Sequence, residues 1–157
     1  MYTALLTVHS YLRWVVLIAA LVVVARAIAG IVAGRAWAAT DDAAVRVFSI
    51  SLDIQMLIGL IIYFFLSPFT YPAWSDLAAA MRDDAVRFIV IEHQTGMLIA
   101  VVLTHIGVAR VRRNADLVRR HRTALIFFGL ALVMMLVSIP WPGRPAGRPL
   151  FRTLSTP

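Results

Sequence analysis

Apolar residues in this chain gather into four blocks separated by short polar segments that carry arginine. The blocks run from about Ala4 to Ala33, Ala43 to Ser67, Arg87 to Val111 and Thr123 to Ile139. A helix needs ~20 mostly apolar residues to cross the hydrocarbon of a bilayer, with a range of ~17–25. Each block meets that length. Lipid offers no partner to the unpaired edge of a sheet, so helices are the available way across. Pro68 and Pro140 close the second and fourth blocks, where a helix must stop. The pattern predicts an all-α, integral membrane four-helix bundle over residues 1–140, followed by a tail over 141–157. That tail holds four prolines, two glycines and three arginines and reads as irregular. No internal repeat is visible.

The connections differ in character. Gly34 to Asp42 is a short turn. Pro68 to Ala85 is longer, and Ser75 is placed to cap a short interfacial helix over Asp76–Arg82. Arg110 to Arg122 carries six arginines and one aspartate. Arginine favours the cytoplasmic side of short loops. The first and third connections therefore point inward, and both termini point outward, periplasmic in a bacterial inner (cytoplasmic) membrane. No basic residue precedes Arg13, which interrupts the first apolar stretch, so the first helix reads as retained and not as a cleaved signal.

Composition narrows the chemistry. The 157 residues are 61% hydrophobic, and the mean hydropathy is +0.84. There is no cysteine, which excludes disulfides, thiolate metal sites, covalent haem attachment and cysteine nucleophiles. All fifteen basic residues are arginine, which excludes Schiff-base lysines and a phosphate-loop lysine. The net charge of +7 follows from arginines flanking the apolar blocks. It points to membrane topology, with the lipid bilayer as partner and no nucleic acid.

Ionisable residues inside apolar spans are costly and are paired or functional. If helices one and two turn about Ala39 and Thr40, Arg26 and Asp53 share a depth and form a structural ion pair. Gln55 and Gly59 follow on helix two, and Gly59 permits close helix contact. His9 and Arg13 lie on one face of helix one, with Tyr11 and Trp14 as an interfacial aromatic belt. Glu92, His93 and Gln94 form a polar run in helix three. His93 shares a stripe with Gly96, Ala100 and Gly107 that faces the bundle interior, and Arg13 is the best charge partner for Glu92. His105 lies on a different stripe, with Gln94, Leu98 and Val101. His121 falls among loop arginines and reads as solvated.

Two histidines on different helices at one end of a bundle can ligate a haem iron axially. His9 and His93 are the only such pair within the spans on one side of the membrane. His105 is the alternative metal ligand, with only His121 to partner it. Hydrogen bonds from His9 and His93 to Glu92 or to backbone are the other reading of the same residues. Pro140-Trp141-Pro142-Gly143-Arg144-Pro145 emerges at the same end, as a lid or as a plain helix stop with an interfacial tryptophan. Nucleophile–base arrangements, phosphate loops and zinc-binding His-Glu-x-x-His motifs are absent, so the sequence offers no catalytic residue.

Taken together, His9-Ser10-x-x-Arg13-Trp14, Gln55-x-x-x-Gly59-x-x-x-Tyr63, Arg87-Phe88-x-x-x-Glu92-His93-x-x-x-Met97 and Pro140-Trp141-Pro142 resemble the small four-helix bacterial membrane proteins labelled cytochrome b. The resemblance covers nearly the whole chain. It implies haem b and electron transfer, with His9 and His93 as ligand candidates. The chain lacks the two helices with paired histidines of di-haem bundles, so one haem near the outer face is the expectation. Arg13 would lie near a propionate, Glu92 would tune the ligand or a proton, and a quinone or a larger respiratory partner would exchange electrons. Two further readings remain: a cofactor-free accessory subunit of a larger complex, or of a homo-oligomer, and a proton path through Glu92 and Asp53.

Overall fold

The computed structural model describes residues 1–144 and 146–153; Pro145 and residues 154–157 of the tail lie outside the described residues. Helices and no strand form among the described residues. Helix α1 spans Tyr2–Ala33 and α2 spans Ala39–Ile61, continuing through a π-helical turn over Ile62–Leu66. Three short helices follow: α3 (Thr70–Ser75), α4 (Leu77–Arg82) and α5 (Asp84–Arg87). A second π turn, Phe88–Glu92, leads into α6 (His93–Arg113), and α7 covers Arg119–Ser138. Four stretches are long and apolar enough to cross a membrane: Tyr2–Ala33, Ala39–Leu66, Asp84–Arg113 and Arg119–Ser138.

The four long helices form one bundle. α1 packs broadly on α2 and α7, and α7 on α6, while α2 and α6 meet along a shorter stretch. The core is built from α1 (Val16, Ala20, Val23, Ala27), α2 (Phe48, Leu52) and α7 (Phe128, Ala131, Met135). Phe48 and Phe128 meet edge to face at 5.9 Å, a favoured arrangement of ring quadrupoles. Gly96, Ala100 and Gly107 are buried, as their stripe predicted. Small residues let helix backbones approach closely where apolar surroundings supply no hydrophobic drive.

The α1–α2 turn differs from the expectation. It occupies Gly34–Ala38, with Gly34 in the left-handed conformation that ends α1 (φ 58°). α2 starts at Ala39, not beyond Thr40, so Arg26 faces Asp41 instead of Asp53. The shift is twelve residues, about 18 Å along the helix. Asp41 is buried and accepts from Arg26 Nε at 2.8 Å, from Arg35 Nη1 and Nη2 at 2.7 and 2.9 Å, and from the Ala38 backbone N–H at 2.9 Å. The ion pair that locks the hairpin is thus Arg26–Asp41–Arg35. Asp53 bonds His105 Nε2 at 2.9 Å.

His121 corrects a second expectation. α7 begins at Arg119, a turn earlier than the apolar block, which draws His121 into the helix and fully buries it. Its ring lies 4.9 Å from that of Trp37 and occupies the space beside Gly30, where a Cβ would overlap the imidazole. Neither ring nitrogen has a hydrogen-bond partner among the described residues. The short helix after α3 is capped by Asp76, which accepts from Ala79 N at 2.9 Å, and not by Ser75, which bonds back to Tyr71 O.

Asp41→Asn should cost about 3 kcal/mol, because two buried-facing arginines lose their charge partner; thermal unfolding in detergent reads this, and Asp53→Asn should leave the hairpin nearly unchanged. Gly30→Ala should cost about 2 kcal/mol by overpacking. His121→Ala should recover most of that loss in the double variant. Independent, additive effects would show that the two positions do not share the space.

Candidate functional site

The α1–α2 register that Asp41 fixes determines what meets at the other end of the bundle, where the chain termini lie. His9 of α1 faces Gly59 of α2, where an added Cβ would stand 3.1 Å from the imidazole Cε1. Glycine leaves that space to the ring. One turn earlier on α2, Gln55 Nε2 donates to His9 O at 3.0 Å. His93 approaches from α6, with its Nδ1 2.7 Å from Ser138 O on α7. A carbonyl can only accept, so this contact puts the proton on Nδ1 and leaves a lone pair on Nε2. The His9 and His93 ring centres stand 6.5 Å apart, with planes inclined at 75°. The structure therefore brings the two sequence-selected histidines together.

Both rings border a cavity of about 140 Å³ at the termini end. Its apolar lining includes Leu6, Leu52, Met56, Met97, Val101 and Met135, and its polar lining Arg13, Gln55, Tyr63 and Arg148. Three buried polar atoms on its lining have no partner among the described residues: His9 Nδ1, Arg13 Nε and Gln55 Oε1. Orphaned polar atoms are rare in folded proteins, each costing ~1–3 kcal/mol. All three belong to residues that line this one cavity.

The two π turns flank this cavity and are tied together. Tyr63 in the first donates its hydroxyl to Val90 O in the second at 3.1 Å, and Thr70 Oγ1 donates to Tyr63 O at 2.7 Å. A π turn displaces carbonyls from the α-helical ladder, so these side-chain donors satisfy groups that the helix leaves open. π turns are frequent at functional sites. Neither was visible in the apolar pattern.

The second π turn also explains where Glu92 goes. Residues five apart stack in such a turn, so Glu92 lies by Arg87 (Nε–Oε1 2.8 Å) and not by Arg13. Asp84 shares the same guanidinium at 2.9 Å. Glu92 is half-exposed and outside the cavity lining. His105 is equally remote from the cavity. Among the described residues, no group of three or more His, Asp or Glu side chains is arranged to hold a metal.

The tail covers the mouth. Gly143 turns the chain back in the left-handed region (φ 89°), and Arg148 N bonds Pro140 O at 2.9 Å. Arg13 Nη2 and Trp14 Nε1 both donate to Leu150 O, at 2.6 and 3.1 Å. Phe151 stacks on Trp14 at 5.7 Å, and Arg13 lies over the Trp14 and Trp141 rings. Trp141 Nε1 and Arg144 Nη1 meanwhile satisfy carbonyls of the last turn of α7. Residues 147–153 thus form a strap and not merely a helix stop. The sequence reading missed Arg148 and the Leu150 carbonyl; an arginine every four residues after Pro140 was the available signal.

Ending the chain after Arg144 removes the strap. A cysteine at Ser10, unique in this cysteine-free chain, should then react with a maleimide in detergent several-fold faster than in the full chain; equal rates would show that the strap does not close the cavity. Neither a protein family nor a curated protein nor a solved structure matches this chain.

Proposed function

We propose that this chain is a multi-pass protein of a bacterial inner membrane that holds one haem b between His9 and His93 and exchanges electrons with a quinone or a larger membrane partner. The observation that carries the reading is the pair of imidazoles whose ring centres stand 6.5 Å apart at one end of the bundle. Imidazole nitrogens bind a metal ion at ~2 Å, so two rings this close could share one ion between them. His93 has the second contact typical of a ligating histidine, a ring N–H given to a backbone carbonyl. The lone pair left on Nε2 is the ligand. His9 Nδ1, buried without a partner, supplies the other ring.

Haem, when bound, carries one electron by cycling its iron between two oxidation states. The chain's own residues do the rest. His9 and His93 would hold the iron through ring nitrogens. Arg13 and Arg148, both on the cavity lining, would offer positive charge to acidic groups of the cofactor, and the apolar walls would keep water from the rest of it. The cavity volume of about 140 Å³ is smaller than the ~300–1,000 Å³ of a usual ligand site. Loading therefore requires the strap to lift or α2 and α6 to part.

The four apolar helices support insertion into a bilayer. The arginine excess of the 34–38 and 114–118 connections and their flanks supports termini outside and those connections inside. With a single haem at one end, the protein delivers electrons on the outer side and does not wire them across.

The test is a reduced-minus-oxidised spectrum of protein expressed with ample haem. Wild type should show a haem b band, and His9→Ala and His93→Ala should each lose most of it, while His105→Ala retains it. A wild type without the band sinks the haem reading; a cofactor-free subunit of a larger complex would instead copurify with other membrane proteins in mild detergent. A band that survives both substitutions removes the histidine pair from the site.

A further inference from the structure

Asp53 and His105 stand apart from every other polar pair in the bundle. Asp53 is at the midpoint of the 28-residue apolar stretch Ala39–Leu66, and His105 lies eight residues inside the end of Asp84–Arg113. They bond each other across the α2–α6 seam at 2.9 Å, yet their side chains are 46% and 54% exposed. Around them, Ile50, Ile54 and Leu57 of α2 and Val102 and Ile106 of α6 are exposed as well. The other polar side chains in this part of the bundle turn inward. Ser51 bonds Phe48 O, Thr104 bonds Ala100 O and Gln55 bonds His9 O.

In a bilayer this arrangement is incomplete. Lipid chains donate and accept no hydrogen bonds, and ionisable groups within a span face protein or water. Asp53 is twelve residues, about 18 Å, from Asp41, too far for so short a side chain to reach the head groups. The pair uses one carboxylate oxygen and one ring nitrogen. Asp53 Oδ2 and His105 Nδ1 make no bond within the described residues.

We infer that the α2–α6 face is a two-fold interface between two copies of this chain, closed by Asp53 and His105. The imidazolium form of histidine carries an N–H on both nitrogens. Each ring then donates Nε2–H to Asp53 of its own chain and Nδ1–H to Asp53 of the partner subunit. Each carboxylate accepts from both rings. Four hydrogen bonds form a closed ring holding two positive and two negative charges, with no polar group left to lipid. A second copy is the occupant because the leftover groups complement each other. A two-fold axis applies each contact twice, residue i to j and j to i. A different partner would need both a donor and an acceptor at one depth. α2 and α6 meet along a short stretch, and Ile54, Leu57 and Val102, exposed beside the pair, would pack against the second copy. Polar side chains joining helices in this way hold membrane assemblies together.

This inference rests on the bilayer reading and not on haem; recovery of the chain in alkali-washed membranes tests that reading separately. The absence of cysteine makes the interface directly testable. Single cysteines at Ile54, Leu57 and Val102 probe it, with Val15 on α1 and Ile126 on α7 as exposed controls. After oxidation in native membranes, the first set should give a band of twice the chain's mass and the controls should not. In the Leu57→Cys background, Asp53→Asn or His105→Gln should lower the doubled band several-fold, helix content being checked by circular dichroism. No doubled band at any of the three positions overturns the inference. So does equal crosslinking at the controls, a product of another mass, or a yield indifferent to both polar substitutions in folded protein.

Discussion

The buried carboxylate of Asp41 is the constraint on which the rest of the bundle depends. It accepts two arginines and the backbone N–H at the start of α2, and so fixes both where the α1–α2 turn ends and how far the helices slide past each other. A charge buried in this way is tolerated only because each lone-pair direction is used. The side chains of Arg26 and Arg35 reach it from the last turns of α1 and from the turn itself, which ties three consecutive segments to one atom pair. Everything farther along the hairpin inherits that register. With it, His9 meets Gly59 and Gln55; a slide of a few residues would put a bulky side chain against the imidazole.

The two ends of the bundle are built on different principles. At the arginine-loop end, charge and close packing combine: Asp41 with its two arginines, Trp37 bonded to Asp42 and to Leu117 O, and His121 seated against Gly30. At the termini end the helices depart from α geometry in two π turns, the packing opens into a cavity, and the chain's own tail closes the mouth. The close-packed end fixes the register, and the open end leaves space between the helices.

Much of this was legible in the sequence, and the part that was not has identifiable causes. The four long helices follow directly from apolar block length, because that quantity needs no knowledge of pairing. The meeting of His9 and His93 was also within reach, since both lie near the same end whatever the exact turn. Arg26 with Asp53 failed because depth matching depends on where the turn sits, and Ala39, a good helix former, already belongs to α2. His121 failed because the helix outruns its apolar block: arginines continue α7 for a turn that hydropathy alone assigns to a loop. Glu92 failed because a π turn changes which residues stack, and the Arg87–Glu92 spacing of five carries that information only in retrospect. The strap was hidden for another reason. Its contacts are made largely by backbone carbonyls, which every residue possesses and no side-chain pattern advertises.

The space shared by Gly30 and His121 reaches beyond stability. The two positions belong to helices far apart in the chain, yet they divide one volume: the ring fills what the glycine lacks. Selection cannot treat such positions separately. A lineage that enlarges residue 30 must first or simultaneously shrink residue 121, so intermediates with both large are barred and those with both small leave a hole. Substitution at either site is therefore conditional on the other's history, and the α1–α7 contact constrains the routes by which this sequence can diverge as well as the fold it adopts.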